Sequence, residues 1–65
     1  MSLRGQKVFI VEYSAFITAQ IKGVLEKAGA EVKACHHPSK ALLEIVHWHP
    51  DAIISNIDIG ELRAV

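Results

Sequence analysis

A single cysteine, Cys35, stands in 65 residues, so no disulfide can form within the chain. A lone thiol suits a reducing, cytoplasmic setting, and Cys35 reads as a small apolar filler near a strand end. No apolar run approaches the roughly 20 residues that a bilayer-spanning helix needs. Met1-Ser2-Leu3-Arg4-Gly5 also lacks the apolar stretch of a secretory signal. Neither sign of charge is in surplus: seven Lys and Arg balance seven Asp and Glu. That balance is unlike the footprint of a nucleic-acid binder, and it removes one defence against self-association. Glycine is sparse. Gly5, Gly23, Gly29 and Gly60 are scattered and build no phosphate-cradling loop, which argues against nucleotide binding. No Ser-His-Asp or Cys-His arrangement stands out. These absences lead to the expectation of a soluble, cytoplasmic protein that binds neither nucleic acid nor membrane.

The apolar fraction, 51%, is ample for a core. The chain is short, however, and a domain of about 60 residues buries only roughly 60% of the surface its unfolded chain exposes. Residues 1–6 are read as an N-terminal leader and 7–65 as one domain. Lys7-Val8-Phe9-Ile10-Val11 is a β-branched, apolar run suited to a strand covered on both faces. Ser14 offers an N-cap hydroxyl, and Ile17, Ile21, Val24, Leu25 and Ala28 follow as one helical stripe. Gly29 sits where a left-handed residue closes a helix. Ala30 to Cys35 alternates as a half-exposed strand. Pro38 suits the first position of a second helix with the stripe Ala41, Leu42, Ile45 and Val46, which ends at His49-Pro50. Asp51 to Ile57 reads as a third, buried strand.

The order β-α-β-α-β implies parallel strands joined by right-handed crossovers, which is half of a doubly wound α/β fold. Chemistry in such sheets sits beyond the carboxyl ends of the strands. That draws attention to Glu12, Tyr13 and Ser14 after strand one, and to Asn56, Ile57 and Asp58 after strand three.

Residues 8–16, Val-Phe-Ile-Val-Glu-Tyr-Ser-Ala-Phe, resemble the opening of a response-regulator receiver domain: an apolar strand, two acids, then Ser-Ala-Phe. Leu25 to Val32 is similar to the end of that family's first helix and its second strand. Lys40-Ala41-Leu42 is similar to the start of its second helix, and Pro50 to Ile57 to its phosphoacceptor strand. The resemblance spans residues 7–62 and implies a flavodoxin-like sheet with strand order 2-1-3, corresponding to the N-terminal half of a chemotaxis-regulator-like receiver.

Three departures bear on chemistry. The family's phosphoacceptor aspartate falls on Asn56, whose neutral amide is a poor nucleophile for an acyl phosphate. The second member of its acidic pair falls on Tyr13, leaving Glu12 alone. The family's loop proline falls on Gly60. The later strands that carry the family's hydroxyl residue and lysine lie beyond Val65. Magnesium wants several hard anionic oxygens, so Glu12 and Asp58, the candidate residual metal ligands, should hold it weakly or not at all. The resemblance therefore implies a pseudo-receiver in two-component phosphorelay signalling, non-phosphorylatable and acting through protein contacts. The alternatives are a fragment of a longer response regulator, or a residual phosphoacceptor using a non-standard residue such as Asp58.

Two further features complete the reading. His36-His37 and His47-Trp48-His49 flank the second helix at opposite ends, too far apart to share one ion, and read as solvated histidines around a helix-end Trp. The third strand, with Ala52, Ile53, Ile54 and Ile57, would present an apolar edge, and a homodimer joined through it is the expected remedy.

Overall fold

Val8, Phe9, Ile10 and Val11 are all buried, the last two completely. Four consecutive buried residues on a strand require cover on both faces, because successive side chains point to opposite sides. The computed structural model describes residues 2–55 and supplies that cover. Its elements are β1 (Lys7–Val11), α1 (Ala15–Lys27), β2 (Glu31–Cys35), α2 (Pro38–Trp48) and β3 (Ala52–Ser55). The three strands form one parallel sheet in the order β2-β1-β3. This is the expected arrangement, half of a doubly wound, flavodoxin-like sheet.

The two crossovers leave β1 and β2 in opposite directions, so crossovers of one hand place the helices on opposite faces. On one face Val8, Ile10, Ala30 and Val32 pack with Ile21 and Leu25 of α1. On the other, Phe9, Val11 and Cys35 pack with Ala41, Ile45 and Trp48 of α2. Cys35 is thus a buried filler at the end of β2, as its sequence context suggests.

The helix ends follow from local chemistry. Ser14 caps α1, its Oγ accepting the Ile17 N–H at 3.2 Å. Gly29 closes the turn after α1 at φ +103°, and a side chain there would also meet the Arg4 backbone at 3.1 Å. Pro38 opens α2, and His49 ends it in the left-handed region at φ 57° with its N–H donating to the Ile45 carbonyl at 2.9 Å. The stretch before β1 is tied to the domain. The Leu3 N–H donates to the Ala28 carbonyl at 2.7 Å, and Leu3 packs against the α1-side core.

The structure corrects the helical stripes. On α1, Ile17 and Val24 are exposed while Thr18 is buried. Thr18 tolerates burial because its hydroxyl donates to the Ser14 carbonyl at 2.9 Å. On α2 the inward stripe is Pro38, Ala41, Ile45 and Trp48, and Leu42 and Val46 face solvent. Strand β3 is not buried either: Ile54 is half-buried and Ile53 is 50% exposed. The cause is placement: α1 packs chiefly on β2 and α2 on β1 and β2, so β3 receives little helix cover beyond the packing of Ile54 on the α1-side core.

Candidate functional site

The parallel register pairs Val11 with Cys35 on one side and with Ser55 on the other, which brings the carboxyl ends of all three strands level. Glu12 continues β1 into this end. Its N–H donates to the Cys35 carbonyl at 3.1 Å, which holds the β1 and β2 ends together. Its carboxylate is only 5% exposed. One oxygen, Oε1, accepts the Ser14 N–H at 3.1 Å, so the turn into α1 folds back over the acid. The other, Oε2, is buried and has no hydrogen-bond partner among the described residues. An acid at a strand end is usually solvated. Burial beneath the β1–α1 turn replaces that solvation.

Neighbouring groups are fixed by the backbone. His36 Nδ1 lies 2.9 Å from the Glu12 carbonyl. A carbonyl can only accept, so Nδ1 carries the proton and Nε2 is left with the lone pair in the neutral ring. The Cys35 thiol donates to the His37 carbonyl at 3.1 Å. Tyr13, at the second acidic position of the receiver pattern, is 53% exposed. Asn56, Ile57, Asp58 and Gly60 lie outside the described residues, so neither the acceptor position nor the second candidate ligand is placed.

Among the described residues, no group of three or more His, Cys, Asp or Glu side chains comes together as a metal would require. Glu12 alone offers a fraction of the oxygens that magnesium takes up in octahedral geometry. What this end of the sheet provides is one buried carboxylate with an oxygen still able to accept a donor or a cation.

The histidine pairs remain apart. His36 and His37 precede α2, whereas His47 sits in its last turn with Nδ1 2.9 Å from the Leu43 carbonyl. Trp48 is half-buried against Phe9, their ring centres 6.3 Å apart. The ammonium groups of Lys7 and Lys33 stand 5.4 and 5.1 Å from its ring. Trp48 thus covers the helix end, as its position suggests, and both cations gain from its π-face.

One structural residue escaped the sequence reading. Asp51 accepts the Lys7 N–H through Oδ2 at 2.7 Å while its own N–H donates to the Lys7 carbonyl at 2.7 Å. This two-way clasp sets the start of β3 against β1. The signal was present in the Pro50-Asp51 pair directly before the strand, a pattern that marks a chain entry rather than chemistry.

Comparison with protein-family models, with curated proteins and with solved structures found no match. Among the described residues no helix is long and apolar enough to cross a membrane.

Proposed function

We propose that this chain is a receiver-like module of cytoplasmic two-component signalling that takes up no phosphoryl group and acts by binding other proteins. The observation that carries the reading is the 2-1-3 sheet with Glu12 and Tyr13 at its carboxyl end. A receiver fold needs that topology, and receiver chemistry needs a second acid where Tyr13 stands. In sequence, Asn56 directly follows Ser55, the residue paired with Val11, at the place where a receiver carries its nucleophilic aspartate. An amide there cannot form an acyl phosphate, and a single carboxylate gives little grip on the magnesium ion that would offset phosphoryl charge.

The test is incubation of the full chain with acetyl phosphate and magnesium, read by intact mass. No added phosphoryl group is the expected result. A phosphoryl adduct that hydroxylamine removes would overturn the reading and point to an acyl phosphate on a non-standard acid such as Asp58. A calorimetric magnesium titration accompanies it, with weak or undetectable binding expected.

A further inference from the structure

We infer that β3 is a self-complementary docking edge, and that its partner is the β3 of a second copy of this chain, paired antiparallel about a two-fold axis through Ile53.

Strand β1 occupies one side of β3 and, among the described residues, no strand lies on the other. Natural edge strands are usually blunted by charge, proline or a covering element. Ala52-Ile53-Ile54-Ser55 carries no charge and no proline, and the helices pack chiefly on β1 and β2. Ala52 and Ile53 are exposed, and Ile54 is half-buried. The chain as a whole has no net charge, so two copies do not repel.

Backbone direction fixes what can pair. The Asp51 N–H points at β1, where it meets the Lys7 carbonyl. Strand backbones alternate, so Ile53 also turns its N–H and C=O toward β1, and Ala52 and Ile54 turn theirs outward. An antiparallel partner alternates hydrogen-bonded and non-hydrogen-bonded pairs. With the axis on Ile53, Ala52 faces Ile54 of the other copy as a hydrogen-bonded pair, each exchanging both bonds. Ile53 faces its own mate across a non-hydrogen-bonded site. Every apolar residue then meets an apolar residue. Moving the axis to Ile54 would set Ile53 against Ser55 and lose that match. The product is a continuous sheet in the order β2-β1-β3-β3-β1-β2, with both copies of α1 on one face. A junction this short buries less than the 1,200–2,000 Å² of a standard interface, so association belongs in the micromolar range.

Two measurements on the full chain decide it. Sedimentation velocity across micromolar concentrations should show a monomer–dimer equilibrium. Ile53→Lys, which sets like charges face to face at the axis, should weaken it by about tenfold or more with unchanged circular dichroism. Should that variant misfold, a Cys35→Ser, Ile53→Cys chain keeps the question open to refutation. It should form an intermolecular disulfide under mild oxidation, while a Leu43→Cys chain on the same background should not. A chain that stays monomeric throughout, or a dimer indifferent to Ile53→Lys and without the Ile53→Cys crosslink, overturns the inference. The outcome is separable from the signalling reading, because a phosphoryl adduct would sink that one and leave this one standing.

Discussion

Replacing Phe9 tests whether the core is the one described. Phe9 is 1% exposed at the centre of β1, beneath α2, and lies 6.3 Å from the Trp48 ring. A folded chain of 65 residues has about 3–10 kcal/mol of stability in hand at 0.05–0.15 per residue. Phe9→Ala would cost about 3–5 kcal/mol through lost burial and the cavity left behind, enough to unfold much of the population. Phe9→Leu is the more informative change. It keeps most of the volume, at a cost of up to about 1.5 kcal/mol. It also removes the ring pair with Trp48, worth roughly another 0.5–1.5. The expected loss is therefore about 2 kcal/mol. With a urea slope near 1 kcal/mol/M for so small a domain, the midpoint should fall by about 2 M.

Trp48 is the sole tryptophan, and its fluorescence reports unfolding directly. Because Phe9 is its neighbour, far-ultraviolet circular dichroism should be followed in parallel. Val46→Ala serves as the control: Val46 is 63% exposed on α2, and its truncation should move stability by no more than about 0.5 kcal/mol. A Phe9→Leu midpoint equal to wild type, or a Val46→Ala loss as large as that of Phe9→Leu, would refute the assignment of α2's inward face.

Asp51→Ala should destabilise by about 1.5 kcal/mol, the range for a hydrogen bond to a charged acceptor. Asp51→Asn should retain part of that, since its amide oxygen can still accept the Lys7 N–H; equal stability of Asp51→Ala and wild type in urea would show that the clasp is idle. Glu12→Gln should leave stability unchanged or raise it by about 1 kcal/mol, because it replaces a buried carboxylate oxygen that has no partner among the described residues with a neutral group while keeping an acceptor for Ser14. A loss above about 1 kcal/mol would instead mean that Oε2 holds a partner, and a magnesium-dependent rise in wild-type midpoint that Glu12→Gln abolishes would identify a cation.

The topology was legible because both of its signals are local. The unbroken run Val8 to Val11 marks a strand covered on both faces, and two helix-length segments between strands leave parallel pairing as the ready solution. Ser14, Gly29 and Pro38 set helix limits through their own backbone and hydroxyl chemistry. Which helical residues face inward was less legible, since apolar character alone cannot tell a core position from an exposed one. Thr18 is buried by virtue of a hydroxyl bond to its own helix, whereas Val24 and Val46 are apolar and exposed. The choice was made by where each helix seats on the sheet, and two helices shared among three strands give β3 the least cover.

At the candidate site the gap is of another kind. Residue type placed Glu12 at the strand end but not its environment, because burial there depends on the turn folding back and on β2 arriving alongside. Ser14 donates to the carboxylate as the chain enters α1, and Cys35 and His36 close on the Glu12 backbone from the neighbouring strand. The last of these contacts joins residues 24 apart in sequence. Together they make the strand-end acid a buried one whose second oxygen has no partner among the described residues. Tyr13, the next residue, adds no second acid beside it. The Glu12→Gln measurement is therefore the most direct probe of whether this end of the sheet holds a partner or a cation.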